Sequence, residues 1–402
     1  MHSLRTLYGY ELKKIWKRKI VRITLLVCLA AVFISVTGPA MGSHYVDNEK
    51  ADSKYHIFLA DREYNRQLSG REIDQALLEE MSDAYDRIPS SAERYTLTEE
   101  YQKYARPYNA IFSFVGDMTD MTISETRQWI PDLQDLYARR MAMLEAHWTS
   151  EYLSEAEKEF WRQKEAALKT PFVYQNADGY YRLFSAVPTM GLLALLSISI
   201  CLAGVFAEEH ARKTDQLILC SARGKSTAYW AKLLAGASFA AGISLLLMTL
   251  GLLLTYALYG SEGAGAMFQL IFARYSCSLT VGQSVLIVYG CMITTSVIFS
   301  IMVMLLSEML RSSIAALAVT SGMLMLSMVC SIPYQYRIFA QIWDLLPSAF
   351  LTPWNIFDVR LISVFGHHFT AWQAVPVLYL LAGGIIAAAG KPIYRRFQVS
   401  GR

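Results

Sequence analysis

Six apolar runs divide the chain, and each is long enough, or nearly so, to cross a membrane as a helix. A hydrocarbon core about 30 Å thick takes roughly 20 helical residues. The runs lack the strict alternation of apolar and polar residues that is typical of a transmembrane β-strand. The runs are 21–40, 184–206, 233–259, 282–306, 313–332 and 372–390. The pattern therefore predicts an all-α membrane protein with six transmembrane helices.

The segment before the first run predicts an amphipathic helix. Its apolar residues follow the three- and four-residue spacing of one helix face, and basic residues cover the other face. The apolar residues are Leu4, Leu7, Tyr8, Leu12, Ile15 and Trp16. A basic amphipathic helix with Trp at its apolar edge is expected to lie in the membrane interface. The alternative is that the basic residues serve only as a topology signal.

The long polar stretch between the first two runs predicts a mostly helical domain. Apolar residues recur there at helical spacing, as at Ile73, Leu77 and Met81. Ser154 is followed three residues later by Glu157, which is the pattern of a capping box. Ser124 is expected to begin another helix as its N-cap.

Composition and charge support a membrane protein with one acidic domain. The 402 residues are 54% hydrophobic with a mean hydropathy of +0.27, which is too apolar for an ordinary soluble protein. Residues 41–183 carry 26 acidic and 17 basic side chains, a net charge of −9, whereas the rest of the chain carries +12. Nucleic acid is therefore not an expected partner.

The basic residues near the ends of the runs predict the orientation of the chain. Sixteen Lys and Arg residues fall on one side of the expected bilayer, and only Arg274, Arg337 and Arg360 fall in the short loops of the other. By the positive-inside rule both termini face the cytoplasm. The predicted organisation is a cytoplasmic amphipathic helix, a first span, an extracytoplasmic helical domain, and spans two to six with a cytoplasmic loop. These parts are 1–19, 20–40, 41–183 and 184–402, with the loop at 207–232.

The apolar runs contain essentially no charge apart from Arg22 at the edge of the first. Ion-coupled carriers and intramembrane enzymes place polar or charged groups within the bilayer, so both classes are disfavoured. Gly224-Lys225-Ser226 resembles the end of a phosphate-binding loop, but Leu219 stands where that motif needs a glycine. We therefore expect no catalytic residue, no metal site and no cofactor in this chain.

The loop after the second run contains a recognisable set of residues, namely Phe206, Glu209, Thr214, Leu217, Leu219, Ser221, Arg223 and Lys232. With these residues the loop resembles that of a known family, the ABC-2 type permeases. The family pattern is F-x-x-E-x-x-x-G-T-x-x-L-L-L-S-x-P, followed by a basic residue and later by a Lys that enters the third span. Lys213 and Ala222 depart from the family's glycine and proline. The N-terminal stretch from Tyr10 to Lys19 also resembles the opening helix of the family.

The resemblance implies the permease subunit of an ATP-driven transporter, an exporter in a bacterial plasma membrane. A separate cytoplasmic ABC ATPase would bind ATP and Mg²⁺, and a second, identical or related permease chain would complete the pathway across the lipid bilayer. Residues 208–226 would form the coupling helix that contacts the ATPase, braced by the N-terminal helix. The implied contact residues are Glu208, Glu209, Thr214, Asp215, Leu217, Arg223 and Lys225. Those of the interfacial helix are Glu11, Lys14, Trp16 and Arg18.

Two alternatives stay open. Glu208 and Glu209 are either the mixed-charge end of a helix or a polar anchor that fixes the surface helix at a docking site. The whole chain is alternatively a non-transporting sensor or signalling subunit, because the size of the 41–183 domain allows it to bind a ligand.

Overall fold

The computed structural model describes residues 2–47, 49–89, 95–214, 218, 220 and 224–395, and it is mostly helical, with 74% of the chain in helices and little sheet. The expectation of an all-α protein therefore holds except for two small hairpins. The chain separates into two compact units. We call residues 1–34, 186–251 and 287–402 the apolar-helix unit, and residues 35–185 and 252–286 the inserted domain.

The first half of the chain holds eight helices and one hairpin among its described residues. In chain order they are α1 (His2–Lys17), α2 (Lys19–Thr37), β1 (Ser43–Val46), β2 (Glu49–Ser53), α3 (Lys54–Leu68), α4 (Gln75–Asp86), α5 (Asn109–Thr119), α6 (Ile123–Gln128), α7 (Leu133–Ser150) and α8 (Glu155–Ala166). The two strands pair antiparallel. A 3-10 turn follows α2 at Gly38–Ala40.

The second half consists mainly of long apolar helices. The described elements are α9 (Asp178–Leu202), α10 (Ala207–Ala211), α11 (Tyr229–Tyr259), α12 (Val281–Leu310), α13 (Ser313–Val329), α14 (Arg337–Asp344), α15 (Pro353–Ile356), β3 (Ile362–Val364), β4 (His367–Phe369) and α16 (Ala371–Arg395). Strands β3 and β4 form a second antiparallel hairpin. A π-helical turn at Gly224–Ala228 leads directly into α11.

Among the described residues, five helical segments are long and apolar enough to cross a membrane, and a sixth is counted if a bent pair forms one span. The bent pair is α13 with the segment Tyr334–Asp344, which meet at 119°. The fifth apolar run therefore ends as a helix at Val329, whereas the sequence predicted a continuous run to residue 332. Pro333 explains the break, because the residue before a proline is disfavoured in the α conformation.

The helix formed by the second apolar run begins and ends earlier in the chain than the hydropathy predicted. Helix α9 starts at Asp178, and a turn over residues 203–206 separates its last residue, Leu202, from the short α10. The turn brings the charged residues of α10 back against the helix ends, and the candidate site is built around it.

The inserted domain has a core of its own, built from α4, α5 and α7. The ring of Tyr85 stacks on Phe112 with centroids 3.9 Å apart, and Leu77, Ile111 and Leu136 are fully buried beside them. Burial of side chains of this size stabilises the fold by about 1.5–3 kcal/mol each. The domain is thus held together by ordinary helix packing.

The predicted helix starts in this domain have mixed outcomes. The capping box of Ser154 and Glu157 is present at the start of α8 and is confirmed. The expectation for Ser124 is wrong, because Thr122 caps α6 and forms a capping box with Glu125. Pro131 then breaks the helical pattern, and Asp132 caps α7.

Candidate functional site

Four charged side chains close a ring at the junction of α1, α10 and the start of α11. Lys232 Nζ lies 2.5 Å from Glu209 Oε1 and 2.8 Å from Glu11 Oε1. Lys14 Nζ lies 2.5 Å from the same Oε1 of Glu209 and 3.8 Å from Glu11 Oε2. Two cations and two anions thus alternate around the ring. The ring joins three segments that are far apart in sequence.

Lys232 is the most deeply placed member of this ring. Its side chain is 0% exposed and that of Glu209 is 7% exposed, whereas Lys14 is 45% exposed. A buried ammonium is costly unless opposite charges and hydrogen bonds replace its water. The carboxylates of Glu209 and Glu11 do this, and the ring of Phe206 lies 5.8 Å from Lys232 Nζ. Lys232 therefore holds Glu209 in place.

Arg18 binds the carboxyl end of α9 from the opposite side. Its guanidinium donates to the main-chain oxygens of Cys201 and Gly204, each at 3.3 Å, and to Glu208 Oε2 at 3.2 Å. The last carbonyl groups of a helix have no partner within the helix, and a cation placed there also meets the negative end of the helix dipole. Arg18 thus links α9 to the linker that follows α1.

The end of α12 holds the same turn through a hydroxyl and a carboxylate. Ser307 Oγ donates to the oxygen of Ala203 at 2.5 Å and accepts from the nitrogen of Ala207 at 3.1 Å, so it bridges the two sides of the break between α9 and α10. Glu308 Oε2 lies 2.9 Å from His210 Nε2, and both side chains are buried. The turn is therefore fixed from α12 as well.

Aromatic packing completes the junction. Phe206, in the turn, packs against Tyr229 and Tyr394 with ring centroids 6.3 and 5.7 Å away. The hydroxyl of Tyr229 donates to the oxygen of Ala387 at 2.6 Å, which ties the start of α11 to α16. The ends of α1, α9, α11, α12 and α16 consequently meet around the turn and α10.

The turn and α10 are bound to several other segments at once. A displacement of α10 cannot occur without moving Glu209, and Glu209 is bound to two lysines on two other segments. The pair with Lys232 is buried, and breaking a buried ion pair by removing one partner costs about 3–5 kcal/mol.

Sequence reasoning selected five of the residues that the structure brings together here. They are Glu11, Lys14, Arg18, Glu208 and Glu209. Glu209 is buried and paired with Lys14 and Lys232 within the chain, and its expected contact with a partner stays a prediction. Glu208 is 42% exposed and keeps an accessible edge.

Two other predicted site residues, Trp16 and Thr214, make contacts of their own. Trp16 packs edge-on against Phe239 with centroids 5.2 Å apart, and Thr214 is exposed and donates to the main-chain oxygen of Glu209 at 3.4 Å. The main chain at Lys225 belongs to the π-helical turn before α11. Asp215, Leu217 and Arg223 lie outside the described residues.

The members of the junction that were not selected as site residues include Lys232, Ser307 and Glu308. Each carried a usable signal, because a lysine at the start of an apolar run or a Ser-Glu pair near the end of one places polar groups at a helix end.

No match to this chain was found among protein-family models, characterised proteins or solved structures.

Proposed function

We propose that this chain is the permease subunit of an ATP-driven ABC-2 type exporter with six membrane spans. In this proposal both termini and α10 face the cytoplasm, and the inserted domain lies outside a bacterial plasma membrane. Energy comes from a separate ATPase subunit that binds ATP and Mg²⁺. A second permease chain completes the pathway.

The observation that carries the proposal is the ion ring around Glu209. A permease without its own ATPase needs a surface that receives movement and passes it to the helices that line a pathway. The ring joins α10 to α1 and α11, while Ser307 and Arg18 join the same turn to α12 and to the end of α9. Such coupling requires contacts that differ between two states of the partner.

The backbone at Lys213 supports the resemblance on which the proposal rests. Lys213 has a φ of 56°, in the left-handed region that glycine adopts at little cost. It stands where the family pattern has its glycine. The chain therefore keeps the backbone conformation that a glycine at this position would serve, although the side chain differs.

The proposal is tested by purifying the tagged full-length chain in mild detergent from its native host and identifying the proteins that accompany it. We expect a soluble ATPase in stoichiometric amount. Lys213→Glu reverses an exposed charge beside α10 and is expected to lower its recovery about tenfold. Lys169→Glu, at an exposed position of the inserted domain, is the matched control and should leave recovery unchanged.

Two outcomes would contradict the proposal. One is a preparation without any ATPase under conditions that preserve other membrane complexes of the same host. The other is an ATPase that is retained by Lys213→Glu and lost with Lys169→Glu, since that result would place the contact on the inserted domain.

A further inference from the structure

Two adjoining cavities form a groove in the inserted domain. The larger has a volume of about 640 Å³ and the smaller about 320 Å³. Both are lined by Asn109, Ser113, Asp117, Tyr181 and Ile271, so the two cavities meet at these residues. Volumes of this size are typical of sites for small molecules.

Among the described residues of the groove, six of the seven charged side chains form ion pairs with each other. Arg106 Nε lies 2.7 Å from Asp61 Oδ1, and Arg274 Nη2 lies 2.6 Å from Asp120 Oδ1. Arg182 Nε lies 3.5 Å from Asp178 Oδ1. Each of these three pairs is neutral, so one carboxylate of the groove has no ion-pair partner among the described residues.

The remaining carboxylate is Asp117, at the place where the two cavities meet. The contacts among the described residues give it neither a hydrogen bond nor an ion pair, and its side chain is exposed to the groove. Burial raises the pKa of Asp117, the charge of Arg274 lowers it, and the charge of Asp120 raises it. A carboxylate without an ion-pair partner in a concave site attracts a cation, and the described residues of the groove carry four carboxylates and three guanidinium groups.

Aromatic and apolar side chains stand among the polar ones in the wall of the larger cavity. Phe112, Tyr181 and Phe272 line the larger cavity together with Ile271. The faces of aromatic rings attract cations and also pack against hydrocarbon. A carboxylate next to such walls suits a ligand that carries one positive charge on an apolar body.

We propose that this groove binds a small amphipathic amine, with the ammonium group on Asp117 and the apolar body along Phe112, Tyr181 and Phe272. A metal ion is a poorer fit, because no group of three metal-ligating side chains occurs in the described part of the chain. The inference does not depend on the proposed transport function, since a ligand site in this domain suits both a permease and a sensor.

The test measures binding of dansylcadaverine, a fluorescent primary amine with an apolar body, to the full-length chain in nanodiscs of neutral phosphatidylcholine. Empty nanodiscs provide the correction for partition into lipid, and N-acetylated dansylcadaverine is the uncharged control probe. The variant is Asp117→Asn, which keeps the shape of the side chain and removes its charge. Asp83→Asn is the matched control, because Asp83 is exposed in the same domain and lies outside the groove.

We expect saturable binding that Asp117→Asn weakens about tenfold or more and that Asp83→Asn changes less than twofold. The acetylated probe should bind the unaltered chain about as weakly as the amine binds the Asp117→Asn variant. An unchanged thermal unfolding midpoint would show that Asp117→Asn has kept the fold. Equal binding of the two probes, equal binding by the two variants, or no signal above empty nanodiscs would overturn the proposal.

Discussion

Two of the buried cations, one in each unit, join segments that are far apart in sequence, and they do so in different ways. In the apolar-helix unit, Lys232 shares its ammonium between Glu209 and Glu11. In the inserted domain, Arg140 is 1% exposed and binds Glu165 through two parallel hydrogen bonds of 2.7 and 3.1 Å. Arg140 also donates to the oxygen of Ala273 at 2.6 Å and lies over the ring of Phe172.

The difference lies in how strictly each contact fixes geometry. A guanidinium is planar and presents its donors in a rigid fork, so Arg140 accepts Glu165 in one orientation. An ammonium is a point charge on a flexible stem, and it can keep its partners while they shift. Arg140 therefore fixes the orientation of Glu165, whereas Lys232 fixes the orientation of its two partners less strictly.

The largest effect is expected from Lys232→Met. The change removes the charge that compensates Glu209 and leaves two carboxylates with only Lys14. We expect a loss of about 3–5 kcal/mol in the free energy of unfolding, because an uncompensated carboxylate remains buried. The measurement is chemical unfolding of the full-length chain in mixed micelles.

A double variant sharpens this result. Lys232→Met combined with Glu209→Gln leaves Glu11 and Lys14 as a neutral pair, so the double variant should lose less stability than the sum of the two single variants. If Lys232→Met alone changes stability by less than about 1 kcal/mol, or if the two changes are additive, the ring does not hold the junction together.

A smaller effect is expected from Arg140→Lys. A lysine keeps the charge beside Glu165 but cannot form the paired hydrogen bonds and also reach the oxygen of Ala273. We expect a loss of about 1.5–3 kcal/mol, the usual contribution of hydrogen bonds to charged groups. The measurement is the same unfolding experiment, followed through a probe in the inserted domain.

The neighbouring Arg139 provides the control for this change. Arg139 pairs with Asp135 at 2.6 Å but is 47% exposed, so Arg139→Lys should change stability by less than about 0.5 kcal/mol. If both arginines tolerate lysine equally well, the rigid fork of Arg140 contributes nothing and the contrast with Lys232 disappears.

The sequence predicted the apolar helices because the signal for each of them is local, a run of adjacent apolar residues. The capping box at Ser154 was predictable for the same reason, since both of its partners lie within one turn. The cap at Ser124 was misplaced because Thr122, two residues earlier, satisfies the same pattern with Glu125. Local signals therefore identify an element better than they identify its first residue.

The partners in the ion ring could not be paired from the sequence. Lys232 and Glu11 are 221 residues apart, and Lys14 and Glu209 are 195 apart. Charge alone allowed Glu209 to face either a soluble partner or the chain itself. In the structure the turn over residues 203–206 interrupts the helix, although these residues are themselves apolar, and Glu209 pairs with lysines of the chain itself.

The smallest effect is expected from Lys14→Met. This variant tests whether burial or contact distance determines how much each ion pair of the ring stabilises the fold. Lys14 and Lys232 lie at the same distance of 2.5 Å from the same oxygen of Glu209, but their side chains are 45% and 0% exposed. Water screens the more exposed pair, so Lys14→Met should cost less than about 1 kcal/mol in the same unfolding experiment. Added salt should reduce that cost further and leave the effect of Lys232→Met nearly unchanged. Equal losses for the two variants would mean that contact distance, and not burial, determines what each lysine contributes.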